Sequence, residues 1–484
     1  MAGLGHDELW KGPAWPDDPR RAWGGSGSIS GRPGGDRLSV LGPDAIRRLA
    51  FSALEASRAD QTEVVISGGE SALTRFANST IHQNVHEVEV ELRIRAVAGK
   101  RIGVAITNKL DERAVRQAVT DALENALHSP EDPDFRTLPG PAPIIPVSAH
   151  ARSTAAYTPE QRARDVKSVC DRATAEHLEA SGMWSTRERE VAVANSLGAY
   201  GYHTATVAAF KAVVMSSDSS GYAERTGVDA AQIDVAAAGE EAIGRALRSR
   251  NPEPLEAGEY PVVLEPYAVG TMLDYLAYMG LGARSVQEER SFMNELIGQR
   301  IAPENISLWD DGMDPAGIPM PFDFEAVPKQ RVDLIRRGVA AGVVYDSYSA
   351  GKDGKESTGH ALPSPNPAGP FPLHLYLEPG DAGETQLLEG IRRGVWVTRF
   401  HYVNPVHSKR TILTGMTRDG TFLIEDGEIT RPIRNLRFTQ SVLGALATVE
   451  AVGRSRSLLH DEMSGTCVPA LRIGRFRFSS ATQF

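Results

Sequence analysis

Several groups of residues in this 484-residue chain have the types that chemistry requires. His82 and His86 stand four apart, a spacing that brings two imidazoles to one metal on a helix. Here they enter a run that reads as a strand, where such residues lie about 13 Å apart, so exposed or hydrogen-bonded histidines are expected. Asp310, Asp311 and Asp314, in LWDDGMD, resemble part of a calcium loop. The closing glutamate and the rhythm of ligands are missing, and a turn is the better reading. Ser357, Thr358, Gly359 and His360 set hydroxyls beside a base, yet no GxSxG elbow surrounds them, which argues against a covalent nucleophile. Gly24, Gly25 and Gly27 do not follow a strand and no Walker sequence is present, so nucleotide binding has no support.

Bulk properties remove further classes. A net charge of −10 is the wrong sign for a protein that displaces counterions from phosphates, so no nucleic-acid role is expected. The two cysteines, Cys170 and Cys467, are far apart and form no CxxC pair, which argues against a disulfide framework or a structural zinc site. No apolar stretch reaches the roughly 18 residues of a membrane span and no signal-peptide core opens the chain. A cytoplasmic protein is expected.

The elements that would position any site can be read along the chain. Residues 1–40 are rich in Gly, Pro, Asp and Arg and predict a flexible extension, in which Trp10, Trp15 and Trp23 read as stray aromatics rather than docking groups. From Pro43 the spacing of Ile46, Leu49, Ala50, Ala53 and Leu54 predicts a helix. Val88, Val90, Leu92, Ile94 and Ala96 alternate with Glu87, Glu89, Glu91, Arg93 and Arg95, which predicts a half-buried strand with its charges outward. Gly99 and Lys100 turn it into a second strand over 101–107, and a helix with Val115, Val119, Leu123 and Leu127 on its apolar stripe follows over 111–127. A stiff Pro-rich connector at 140–148, a helix over 159–180, strand-rich stretches at 189–215 and 218–226, and a helix over 230–250 complete the first half. The second half is punctuated by Asp-Gly at 311, 353, 419 and 426, and TRDGTFLIEDGEI reads as a meander of short strands. The fold class is therefore α+β. An N-terminal α/β sandwich-like domain is expected over 41–255, followed by a mostly antiparallel, barrel-like C-terminal domain over 256–484.

Long collinear stretches carry a family resemblance: VELRIRAVAGKRIGVAITNKLDERAVRQAV, the surroundings of Asn195, Ser196 and Gly198, and VVLEPYAVGTMLDYLA in 262–277. FDFEAVPKQRVDLIRRGVAAGVVYDSYSAGKDGKESTGHALP and TGMTRDGTFLIEDGEITRPIRNLRF continue it. Over residues 41–484 the chain resembles the TldD/PmbA metallopeptidase family, once described as modulators of DNA gyrase. The resemblance implies a helix after the VVLxP strand that carries HExxxH in active members, with a cysteine near the C-terminus completing the zinc site. In this chain those positions hold Asp274, Tyr275 and Met279, and Cys467 falls near the place of the cysteine. Zinc needs three protein ligands such as neutral His, thiolate or carboxylate, and one Asp, a phenol and a thioether on the helix do not supply them.

The departure places the chain on the PmbA/TldE branch. That branch implies a non-catalytic subunit with no cofactor of its own, a zinc-bearing TldD-like homologue as partner, a possible homodimer, and an enclosed cavity for unfolded or extended peptides. His360, Arg399, Tyr402 and Arg418, in the best-matched polar segments, are the expected cleft-lining residues. A self-sufficient hydrolase with an altered metal site, built on Asp274, Cys467 or His360, is the alternative. A subunit that matures a peptide-like natural product is another.

Overall fold

The computed structural model of the chain describes residues 41–461 and 464–481. The expected extension, with its three tryptophans and its Gly-rich run, lies outside the described residues.

Six antiparallel strands form the first sheet: β1 (Gln61–Ala77), β2 (Thr80–Ala98), β3 (Arg101–Thr107), β4 (Glu179–Asn195), β5 (Tyr200–Met215) and β6 (Ser220–Gly227), in the order β3-β2-β1-β4-β5-β6. Asn78 and Ser79, both left-handed at φ 49 and 56, close the β1–β2 hairpin, as such two-residue turns require. Four helices cover one face. They are α1 (Pro43–Ala56), α2 (Glu112–His128), α3 (Pro159–Ala175) and α4 (Val235–Arg248). Asp111 caps α2 by accepting from the Ala114 amide at 3.0 Å, and Asp234 caps α4 in the same way at 2.8 Å. The helix expected over 159–180 ends at Ala175, so β4 begins at Glu179 rather than at 189.

Two expectations for this sheet are corrected by what covers it. The buried face of α2 is Val115, Ala118, Val119, Ala122 and Ala126, while Leu127 is 52 % exposed. The helix sits so close to β3 that a Cβ on Gly103 would stand 2.3 Å from the Ala122 carbonyl, and only small residues fit between them. The charged face of β2 does not point outward along its whole length. Arg93 is 2 % exposed and donates to the Ser364 carbonyl at 2.6 Å, and Arg95 Nη2 donates to Glu63 Oε2 at 2.5 Å and to Glu325 Oε1 at 3.0 Å. The second half of the chain roofs that face, with Phe322, Phe324 and Ala326 packed on Val65, Val191 and Val193. Burial there pushes the Glu63 carboxyl up to about 7, against the pull of Arg95. The start of β2 is unlike a half-buried strand, because β3 pairs only from Leu92 onward and Val88 is left 45 % exposed.

The second sheet has eleven strands: β7 (Gly258–Leu264), β8 (Leu308–Asp310), β9 (Val332–Arg336), β10 (Val339–Ala340), β11 (His374–Leu377), β12 (Arg393–His407), β13 (Ile412–Glu425), β14 (Glu428–Pro432), β15 (Leu436–Ser441), β16 (Val449–Asp461) and β17 (Ser464–Ala481). The path runs β10-β9-β8-β11-β17-β15-β13-β12-β7, and β7 also pairs with β17, so β17, β15, β13, β12 and β7 curl into a barrel-like ring from which β11, β8, β9 and β10 extend. One helix, α5 (Pro266–Gly280), leaves β7 and is buried against the concave side.

The Asp-Gly signals divide. Asp426 and Gly427, at φ 48 and 83, make the β13–β14 turn, and Gly354, left-handed at φ 65, ends the helix Ser347–Asp353. Asp419 and Gly420 do not break the meander into short strands. They stand opposite the single Thr398 inside β13 as a bulge, where a strand bends and re-aims a side chain instead of ending. Among the described residues no helix is long and apolar enough to cross a membrane.

Candidate functional site

The helix α5 starts with Pro266 at its first position, where the missing N–H costs nothing. Its preceding carboxylate, Glu265, is held by neighbouring elements and not by the helix's own amides. Trp396 Nε1 donates to it at 2.7 Å, Thr398 Oγ1 at 2.9 Å, and Arg245 Nη2 forms an ion pair with it. The helix is apolar nearly all round because the second sheet encloses it.

The four positions singled out around this helix do not converge. Asp274 is half-buried and its Oδ1 accepts from Thr466 Oγ1 at 2.6 Å. Tyr275, 2 % exposed, donates its hydroxyl to the Val403 carbonyl at 2.5 Å, and Met279, 2 % exposed, lies in the main core. Cys467 follows Thr466 on β17 and so faces the other side of that strand, in a cluster with Trp309, Tyr376 and Leu458. Burial raises its thiol pKa, which disfavours the thiolate a metal would need. A hydrogen-bonded carboxylate, a donating phenol, a core thioether and a buried thiol do not fit zinc.

A cavity of about 390 Å³ opens at the start of α5, between β6, α4 and β16, and is lined by Glu224, Arg225, Glu241, Glu265, Tyr267 and Arg456 among others. Glu224 accepts from the Tyr222 hydroxyl at 2.7 Å and pairs with Lys211 Nζ at 3.2 Å. Glu241 pairs with both Arg225 and Arg245. Burial acts to raise its pKa, but the two guanidiniums prevail and hold it below the usual carboxylate value.

Beside this cavity the β13 bulge aims Asp419 at Arg399, whose Nε donates to Asp419 Oδ2 at 2.5 Å and whose guanidinium stacks 4.4 Å from the centroid of Tyr222. Arg418 stands 3.7 Å from the same carboxylate. Arg399 and Arg418 are thus brought together next to the cavity. Tyr402, at the left-handed φ of 49, is 56 % exposed and touches the His401 ring at 4.4 Å.

His360 is not part of this group. It is 1 % exposed, with Nε2 2.7 Å from Asp310 Oδ1 and Nδ1 2.9 Å from Thr358 Oγ1. Burial and then the nearby Lys329 lower its pKa and keep the ring neutral, so it braces Asp310 and does not line a cleft. Asp311 and Asp314 accept from the Met313 and Ala316 amides, both at 2.9 Å, which is the turn expected of them. Ser357 donates to the Tyr345 carbonyl at 3.2 Å. His82 and His86 lie on β2 as expected, His86 against Glu70. A second cavity, of about 210 Å³, lies by the segment Asp132–Thr137, where Arg95, Glu325 and Asp346 are already engaged.

Sequence reasoning passed over Glu224, Glu241, Arg245, Glu265, Tyr267 and Arg456. The one local signal was a glutamate in VVLEP, directly before the proline that starts an apolar helix. As arranged, the cavity can hold a polar ligand by hydrogen bonds and charge, while the three carboxylates lining it, Glu224, Glu241 and Glu265, are occupied by cations.

Comparison with known proteins gives two family models. One described as PmbA/TldA metallopeptidase C-terminal domain matches residues 257–480, and one described as PmbA/TldA metallopeptidase domain 1 matches residues 62–126. A metalloprotease of Methanothermobacter thermautotrophicus is 26 % identical over 213 residues, covering 43 % of this chain and 46 % of the relative. A zinc metalloprotease TldD homolog of Saccharolobus solfataricus is 28 % identical over 213 residues, covering 41 % of this chain and 45 % of the relative. The chain thus spans about half the length of the curated relatives it matches. The solved structure of TldE from Thermococcus kodakarensis shares the fold, with a TM-score of 0.82 over 90 % of this chain and 99 % of that one at 20 % identity.

Proposed function

Since this chain belongs to the PmbA/TldD metallopeptidase family, we propose that it is a non-catalytic, TldE/PmbA-like subunit of a cytoplasmic zinc metallopeptidase. The zinc resides in a TldD-like homologue, and this chain supplies part of the wall of the cavity in which unfolded or extended peptides are cut. The observation that carries the reading is the chemistry at the three helix positions. Tyr275 and Met279 are core residues and Asp274 is hydrogen-bonded to Thr466, so nothing here generates a metal-bound hydroxide. Arg399, Arg418 and Arg456 are the cationic groups near this cavity that could hold a peptide, and Tyr402 is exposed toward whatever lies beyond β12.

Reconstitution tests this. The chain alone is expected to leave an unstructured peptide intact, and a mixture with a zinc-bearing homologue from the same source is expected to cleave it. The homologue by itself should cleave at least ten times more slowly than the mixture, because a cavity with one wall missing orients substrate poorly. Cleavage by this chain alone, abolished by a chelator, would instead favour the self-sufficient hydrolase.

A further inference from the structure

The cavity at the start of α5 holds one cation more than its carboxylates can use. Glu224 is engaged by Lys211, Glu241 by Arg225 and Arg245, and Glu265 by Arg245. Arg456 lines the same cavity from β16. Among the described residues its side chain has no carboxylate partner; its guanidinium carbon lies 5.7 Å from the centroid of Tyr376. Lys211, Arg225, Arg245 and Arg456 thus stand against Glu224, Glu241 and Glu265. Next to them Arg399 and Arg418 share the single Asp419. In a chain whose net charge is −10, this is a local positive excess facing an opening of about 390 Å³.

We propose that this cavity binds the C-terminal carboxylate of a peptide, with Arg456 as the anchoring group; the assignment rests on the peptide-handling reading above. A guanidinium presents paired N–H donors in a plane that match a carboxylate, and a half-buried site strengthens the pairing. Thr226 and Ser457, also in the lining, offer hydroxyls to the rest of the chain end. The volume lies within the roughly 300–1,000 Å³ of small-molecule sites. An acidic side chain carries the same carboxylate chemistry, so the test separates the two sources.

Calorimetry on the full chain would use three probes: acetyl-Ala-Ala-Ala as free acid, the same peptide as its amide, and acetyl-Ala-Ala-Glu amide. The free acid is expected to bind at least about tenfold more tightly than either amide, since a site with an unpaired guanidinium rejects a ligand that leaves it unpaired. Arg456→Gln should abolish that preference and Arg456→Lys should keep part of it, with both variants melting as the parent does because Arg456 bears no structural ion pair. Equal binding of free acid and amide, no binding of any probe, or a preference that survives Arg456→Gln would overturn the proposal. Tighter binding of the Glu-bearing amide would overturn the chain-end assignment in favour of acidic side chains. Zinc in the chain alone would sink the non-catalytic reading and leave these binding results standing, so the two failures are distinguishable.

Discussion

Replacing Arg245 with alanine is expected to cost about 3–5 kcal/mol of stability. Arg245 is 8 % exposed and joins three groups at once: Glu241, Glu265 and the Tyr222 carbonyl, the last at 2.6 Å. Alanine leaves the Glu265 carboxylate, 7 % exposed, with only the neutral donors Trp396 and Thr398. A buried charge stripped of its counter-charge is costly, whereas removal of both charges is tolerated far better. The double variant Arg245→Met, Glu265→Gln should therefore recover more than half of the loss. Denaturant unfolding reads both; a loss below about 1 kcal/mol for Arg245→Ala would show that the network contributes little.

Tyr275→Glu, which puts a carboxylate where the family resemblance implies the glutamate of an HExxxH motif, is expected to destabilise the chain by more than about 3 kcal/mol at pH 8. The side chain lies in the main core and its hydroxyl satisfies the Val403 carbonyl. A carboxyl there is desolvated, so its folded-state pKa rises above the unfolded value of about 4.3. For a group whose pKa is raised on folding, the native state holds the proton more strongly, so the penalty grows as pH climbs above the unfolded value and shrinks as pH falls toward it. Melting of Tyr275→Glu should accordingly improve from pH 8 to pH 5 relative to the parent. Tyr275→Phe, which loses only the hydrogen bond, should cost about 1–2 kcal/mol with no such pH dependence. A Tyr275→Glu variant as stable as the parent at pH 8 would mean that the position opens to solvent and that the helix is less committed to the core than its packing indicates.

These two variants mark what was legible in the sequence. The family resemblance implies a helix after VVLEP, and Tyr275 and Met279 could be read there as residues unsuited to zinc. The motif segments located the family, which the matches at 62–126 and 257–480 bear out. The Arg245 network was not legible, because Tyr222, Glu241, Arg245 and Glu265 come from β6, α4 and the end of β7, each unremarkable in its own segment. Alternation along β2 correctly indicated a strand, yet it could not reveal that Glu325, 230 residues away in sequence, reaches Arg95 and turns an apparent solvent face into an internal one. His360 failed for a related reason. A histidine in a polar, well-matched segment suits a cleft or a buried brace equally, and only the position of Asp310, 50 residues earlier, decides for the brace. Local period and turn chemistry report on single elements, whereas buried charge pairs depend on which elements meet.

On the proposed function, this chain contributes structure to a peptidase whose metal lies in another subunit. The deciding measurement is elemental analysis of the purified chain alone and of the complex formed with a zinc-bearing homologue, with the mass of each species measured in parallel. No stoichiometric zinc is expected in the chain alone, and about one zinc per heterodimer in the complex. A full equivalent of zinc in the chain alone, retained through dialysis against a weak chelator, would contradict that function and turn attention to Asp274, Cys467 and the histidines.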